Sequence, residues 1–450
     1  MTKNFQDIFA RILTAVFTTR SMGFLQEPGQ AAAADKATTM ASGSTNSGQS
    51  QRRATDIVSI LTSIVPHLSI ILVDNDRVTN IVTSISTNVI GPTFRAKAFP
   101  ENVSKATLDL LYQLTRVAQA NKFWKKDVYD AFNDPRFFNT SWSLVKDSWL
   151  PIIAQWTNSD KDRLPELLSR LSAPTTAGIM FGVGAASARQ EADKKTQLTL
   201  RRITLLILAS PEDTFTPNLP QVMEKIVELI TATPASSPSS ITRAEVFVLL
   251  RAIILKTSSI HLAPIWPVIN GELTSALSSL LPDAENKESY NNIGIIQACK
   301  LLDELIVLDP DDFQLIEWLF ISDTIDAIYK PETQTYPTSL TDEISETLSA
   351  SETPTNRLRP PLPHAHAHNS ATNSMDEPKR SLFLDPLIAT LEKEENAEVT
   401  NMARRELVDR VVRPFLGQLA MVSFEATHGG RKTDWGGVWE SVVADARGVE

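Results

Sequence analysis

The sequence predicts an all-α chain: an irregular α-solenoid of stacked helix pairs, of the HEAT or armadillo kind, with two disordered linkers. Three observations carry that expectation. Apolar residues recur at three- and four-residue spacing along most of the 450 residues, the period of a helix face. No comparable run of strand alternation is present, and β-branched residues fall at helical spacing. Glycine, at 16, is scarce for a turn-rich all-β fold. No clean repeat period is visible, so a compact irregular helical domain is the rival architecture.

Taken in order, residues 1–20 read as an amphipathic helix. Phe5, Ile8, Phe9, Ile12, Leu13, Val16 and Phe17 form its stripe, with Lys3, Asp7 and Arg11 off it. Residues 21–53, rich in Ala, Ser, Gly, Thr and Gln, have little to bury and read as a disordered linker. Residues 54–330 read as the solenoid core. Ile57, Ile60, Leu61, Ile64 and Leu68 mark one stripe; Val78, Ile81, Val82, Ile85 and Val89 mark the next, which is expected to stop at Gly91-Pro92. Leu108, Leu111, Leu114 and Val117 mark a third. Further runs cover 142–156, 164–171, 198–208, 222–230, 246–255 and 273–281. The span 301–329 reads as two apolar helices broken at Pro310. Asp309 is placed to cap the second, Pro310 to open it, and Asp311 and Asp312 to meet the positive end of its dipole. Residues 331–380, with Pro, Ser, Thr, Glu and the alternating His364, His366 and His368, read as a second disordered linker. Residues 381–450 read as C-terminal helices, one interrupted at Pro414, that pack back on the core because they hold little core of their own.

Composition bounds the function classes. Hydrophobic content of 42% and charged content of 21% are ordinary for a folded chain. A net charge of −10 argues against wholesale nucleic-acid binding, and no nucleic-acid partner is expected. The single cysteine, Cys299, lies in an apolar run and reads as a buried, inert thiol, which fits a cytosolic setting. The longest apolar run, 244–255, is well short of the roughly 20 residues a membrane helix needs and contains Glu245 and Arg251. Asp7 and Arg11 break any signal-peptide core. Membrane contact is thus expected to be peripheral or through a partner.

No constellation reads as catalytic, and no cofactor or metal is expected. His67 and His261 flank proline breaks and suit capping or core roles; the linker histidines suit a solvated spacer. The glycine-rich stretch 178–187 lacks the lysine and spacing of a phosphate loop. Leu301, Leu308 and Leu315 are spaced by sevens, but Pro310 breaks any zipper. Asp303 and Glu304, and then Asp312, Asp323 and Asp326, read as a solvated or partner-binding acidic face, since a metal site needs ligands converging from another element. Two basic groups stand out: Arg95, Lys97, Lys122, Lys125 and Lys126 around Phe123-Trp124, and Arg201 with Arg202 near Arg189, Lys194 and Lys195. Either they meet anionic lipid head groups, at about 1 kcal/mol per charge near a membrane, or they are ordinary solvated faces over a core aromatic pair.

Four stretches carry a resemblance. They are 92–100 (PTFRAKAFP), 123–138 (FWKKDVYDAFNDPRFF), 261–273 (HLAPIWPVINGEL) and 301–329. Together they resemble the C-terminal region of the Dopey family, over 54–330 and more loosely over 381–425. The chain looks like a C-terminal piece of a much longer fungal member. The resemblance implies a non-enzymatic scaffold in endosome–Golgi vesicle traffic, peripheral on the cytosolic face of those membranes. The partners it implies are a Sec7-related Golgi scaffold protein and an aminophospholipid flippase; in filamentous fungi it implies a link to morphogenesis. It brings no catalytic residues. A homodimer contact and direct phosphoinositide binding stand beside protein partners as expectations.

Overall fold

The computed structural model describes residues 7, 8, 11, 57–72, 74–95, 98–171, 185–231, 239–322, 338–350, 379–396 and 398–448. Among them the regular elements are helices, and one isolated parallel bridge joins Arg380 to Thr433. The chain divides into two units, 1–161 and 162–450. The boundary falls inside the 54–330 span that the sequence presents as one run.

In the first unit, α1 covers residues 57–64, α2 Asn75–Ile85, α3 Lys105–Thr115, α4 Asn121–Asn133 and α5 Leu150–Ser159. Asp74 caps α2 by accepting from Asp76 N at 3.0 Å, and Ser104 caps α3 by accepting from Thr107 N at 3.3 Å. Leu108, Leu110, Leu111 and Leu114 of α3 are buried where it packs on α4 and α5. Edge-to-face aromatic pairs fill the rest of this core: Phe132–Phe137 and Phe137–Trp149 at 5.2 Å, Phe132–Trp156 at 5.6 Å and Phe94–Trp149 at 5.7 Å.

Two prolines expected to end or interrupt helices, Pro92 and Pro414, do not. After α2 the chain makes a π turn, Ser86–Ile90, and continues as Gly91–Phe94 through Pro92. Another π turn, Val145–Trp149, leads into α5 with Pro151 in its first turn, and Val408–Val412 leads into a helix carrying Pro414. In each case the N–H just before the proline-bearing turn reaches back five residues: Gly91 to Ser86 O, Leu150 to Val145 O and Arg413 to Val408 O. The widened turn gives the pyrrolidine ring room against the preceding carbonyls, so the helix continues past the proline.

In the second unit, α6 is Arg163–Ser169, α7 Ala185–Ala209, α8 Leu219–Ile230, α9 Ser240–Lys256, α10 Trp266–Ser278, α11 Asn292–Leu308, α12 Leu340–Ala350, α13 Leu384–Glu395, α14 Arg413–His428 and α15 Trp435–Asp445. Helix α9 lies between α7 and α11, with α15 also against it, and every residue from Thr242 to Ile254 is buried. An apolar run without a polar face suits only such a central position. Helices α13 and α14 pack on α11, and α12 packs on α14 and α10.

Two local expectations are corrected here. Asp309 does not cap a second helix. It ends α11 in the left-handed region (φ 50°, ψ 56°), donating its N–H to Leu305 O at 2.8 Å, a conformation Asp tolerates better than most residues. Pro310 then precedes a single turn, Asp311–Gln314, with Asp311 and Asp312 in its first turn as expected, and a 3₁₀ turn Glu317–Leu319 follows. Within the supposed linker 331–380, residues 340–350 form α12. Ser339 caps it, accepting from Asp342 N at 3.4 Å, and Ile344 is buried. The linker at 21–53 lies outside the described residues.

Candidate functional site

The predicted basic group of the first unit is only partly assembled. Arg95, Lys122 and Lys126 are exposed, and Lys125 donates to Ser159 O at 3.2 Å. Lys97 lies outside the described residues. Trp124 is buried, as a core aromatic would be. Asp127, on the same helix, has its carboxyl pushed up to about 6 by burial and by Asp130, against the pull of Lys126. Arg201 and Arg202 belong to no surface patch: both are buried, and Arg201 Nε donates to Glu245 Oε1 at 2.6 Å. Arg201 sits on the α7 face that packs against α9, where a charge is tolerated only with a partner. Of the predicted acidic face, Asp312 accepts from Trp266 Nε1 at 3.0 Å, while Asp323 and Asp326 lie outside the described residues.

The larger correction concerns Asp303 and Glu304. They are not a solvated face; they are fully buried on α11 and form the floor of an ionic cluster. Arg251 of α9, with no exposed side-chain surface, donates to Glu304 Oε2 at 2.8 Å, Gln297 Oε1 at 3.3 Å, Ser441 Oγ at 2.7 Å and Asp445 Oδ2. Lys300 bridges Asp445 at 2.9 Å and Asp385 at 3.0 Å. Asp303 accepts from the N–H groups of Phe383 (2.9 Å) and Leu384 (2.8 Å), and so caps the start of α13. One cluster thus ties the core helices α9 and α11 to α13 and α15 of the C-terminal segment.

The electrostatics follow from counting. Two cations, Arg251 and Lys300, face four carboxyls: Asp303, Glu304, Asp385 and Asp445. Burial pushes the carboxyls of Asp303 and Glu304 up to about 7, with Arg251 opposing the shift in both. Burial also acts against charge on Asp385, but Lys300 and Arg251 overcome it and hold that carboxyl below its ordinary value. For Arg251 and Lys300, burial favours loss of the proton, but the surrounding carboxylates outweigh it and both stay charged.

Two further ionic stations lie along α9. Glu245 meets Arg201 of α7, and Gly448 lies beside that guanidinium with φ at 133°, where a Cβ would collide with it. Arg243 pairs with Glu272 of α10 at 3.2 Å and stacks over the Tyr290 ring. These buried pairs were half-legible: Glu245 and Arg251 interrupt an apolar run, but their partners come from remote sequence.

Elsewhere, a cleft of ≈ 760 Å³ is lined by residues including Ser279, Asn292, Asn401 and Arg404. Burial holds the Cys299 thiol up at about 12, with Asp303 acting the same way, so it is not poised as a nucleophile. Among the described residues no group of three or more His, Cys, Asp or Glu side chains is placed to hold a metal ion. Among them, too, no helix is long and apolar enough to cross a membrane.

The family model described as DOP1 C-terminal matches residues 1–429. The chain belongs to the Dopey family. It is 45% identical over 433 residues to Protein dop1 of Emericella nidulans, covering 95% of this chain and 22% of that protein. It is 25% identical over 282 residues to Protein DOP1 of Saccharomyces cerevisiae, covering 61% of this chain and 16% of that protein. It is 26% identical over 264 residues to Protein pad-1 of Caenorhabditis elegans, covering 55% and 10%. The chain therefore spans between a tenth and about a fifth of the length of these relatives. No solved structure matches it.

Proposed function

We propose that this Dopey C-terminal chain is a non-enzymatic scaffold module that acts in endosome–Golgi vesicle traffic by binding protein partners. One observation supports the reading above others. Its concentrated ionisable groups are spent on holding helices to one another, as the Arg251 cluster does for α9, α11, α13 and α15. A module built this way offers rigid outer faces of stacked helices. Its partners in this reading are a Sec7-related Golgi scaffold protein and an aminophospholipid flippase, met on the cytosolic face of Golgi and endosome membranes. The test is co-purification of the full chain with both proteins from detergent-solubilised membranes. Recovery of neither would overturn the reading.

A second reading is direct binding of anionic phospholipid, phosphoinositide included, through the first unit. The exposure of Arg95, Lys122 and Lys126 favours it. Flotation with phosphoinositide-containing vesicles tests it. The reversal Lys122→Glu with Lys126→Glu should abolish binding while the melting temperature holds, and unchanged flotation removes this patch.

A further inference from the structure

The second unit carries an exposed apolar patch with a charge pattern of its own. Leu315 is 74% exposed, Trp318 54%, Leu319 40%, Met421 55% and Phe424 42%. These residues come from two places in the sequence that the fold joins. Ser423 Oγ of α14 bonds to Glu317 Oε1, which brings the 3₁₀ turn Glu317–Leu319 against α14. The same loop is tied to α12: Thr341 donates its N–H to Phe320 O at 3.1 Å and its hydroxyl to the same oxygen at 2.6 Å, and Ser322 Oγ bonds to Ser339 Oγ at 3.0 Å. Helix α12 packs on α14. Loop, α12 and α14 are thus packed together in one part of the second unit.

Its charge is predominantly acidic. Residues 311–322 and 340–350 contain no Lys or Arg, and they contain Asp311, Asp312, Glu317, Asp342, Glu343 and Glu346. Helix α14 adds Glu425, and carries Arg413, 3.7 Å from Asp409, at its start and His428, against Phe424, at its end. Glu425 pairs with Arg431 from beyond these segments at 3.3 Å. Asp311, Asp342, Glu343 and Glu346 are exposed. Several large apolar side chains within an acidic frame suit one kind of occupant best. An anionic membrane surface would be repelled. A second copy of this face would set carboxylates against carboxylates. A helix with an apolar stripe and Lys or Arg on its flanks satisfies both features together, with Trp318 as the large aromatic anchor such interfaces favour.

We propose that the face formed by the 311–322 loop, α12 and α14 is a docking site for a basic amphipathic helix of a partner protein. The proposal rests on the scaffold reading and names one of its surfaces. The probe is a labelled peptide of roughly 18 residues, five helical turns, with a leucine stripe and lysines elsewhere. Its control is a scramble of the same composition that has no stripe. Binding to the full chain is followed by fluorescence anisotropy at about 0.15 M salt, where distant charges are largely screened.

The striped peptide should bind, and the scramble at least about tenfold more weakly. Trp318→Ala with Met421→Ala should weaken binding by about tenfold or more, as loss of an anchor does, with the melting temperature unchanged because both side chains are exposed. Glu343→Gln with Glu346→Gln should weaken it and flatten its salt dependence. Ile260→Ala, at a residue 79% exposed outside this face, should leave it unchanged. Equal binding of scramble and stripe overturns the proposal, as does indifference to the Trp318 and Met421 changes. So does a wild-type dimer in sedimentation that those changes dissolve, which would assign the face to a second copy. If the scaffold and flippase partners still co-purify with that double variant, this surface is wrong and the scaffold reading stands. If they co-purify with neither protein, the scaffold reading itself fails.

Discussion

Replacing Arg251 with methionine should be among the most damaging single changes in the second unit. Arg251 is fully buried and holds Glu304, also fully buried, at 2.8 Å. Methionine keeps much of the volume and removes the charge. Glu304 then stays in the core without its cation, and Gln297 and Ser441 lose their donor. Breaking a buried pair from one side costs about 3–5 kcal/mol. Asp445 adds less, because its side chain is 15% exposed and keeps Lys300 at 2.9 Å. The size of the loss depends on pH. Burial already raises the Glu304 carboxyl to about 7, and without Arg251 it rises further. At pH about 5–6 the proton that Glu304 takes up in the core costs little and the damage shrinks; at pH 8 holding that proton, or breaking out, costs more and the damage is larger. Hydrogen exchange of the α15 amides reads this locally, without assuming that the two units unfold together. The double variant Arg251→Met with Glu304→Met removes both charges and should recover about 2 kcal/mol of the loss. A single variant within about 1 kcal/mol of wild type, or a double variant no better than the single, would refute the argument.

Asp303→Ala strips the acceptor from Phe383 N and Leu384 N, so exchange across 383–395 should rise by an amount matching about 2–3 kcal/mol while α9 stays protected. The pH dependence of the second unit has a worked sign. Asp303 and Glu304 have folded-state values near 7, above their unfolded ones, so the stability they contribute is fully present below pH about 4 and is lost as pH rises through about 7. Asp385 is held below its ordinary value and acts in the opposite sense, losing its contribution on acidification. Urea titrations at several pH values should therefore show stability falling between pH about 4 and 7, and Asp303→Asn with Glu304→Gln should flatten that fall. In the first unit, Trp149→Ala should cost about 3–5 kcal/mol in thermal melts. Trp149→Phe should cost far less, because the buried indole N–H has no hydrogen-bond partner among the described residues.

Much of the architecture was legible along the chain. The stripes over Val78–Val89 and Leu108–Leu114 gave helices whose apolar faces are buried, because a 3.6-residue period is a property of consecutive residues. Boundaries were harder to read. Pro92 and Pro414 read as breaks, yet a single extra residue in the preceding turn lets the helix pass. Helix α12 hid in a stretch whose Pro, Ser and Thr content suggested a linker; Ser339 with Asp342 three residues on, and Leu340 four before Ile344, were the signals present.

The candidate site was legible only in fragments. Asp303 and Glu304 beside Cys299 look like part of a wet acidic face until Arg251, Lys300, Phe383 and Leu384 are brought against them. Arg201 and Arg202 look like a lipid patch until Glu245 arrives from the neighbouring helix. By itself the sequence determined helix content, the apolar faces and the family, since these depend on local spacing and on matched residues. Only the tertiary structure decided which charges face water and which lie in the core. Burial and pairing are set by side chains up to 194 positions away, and no pattern along one strand of sequence encodes that distance.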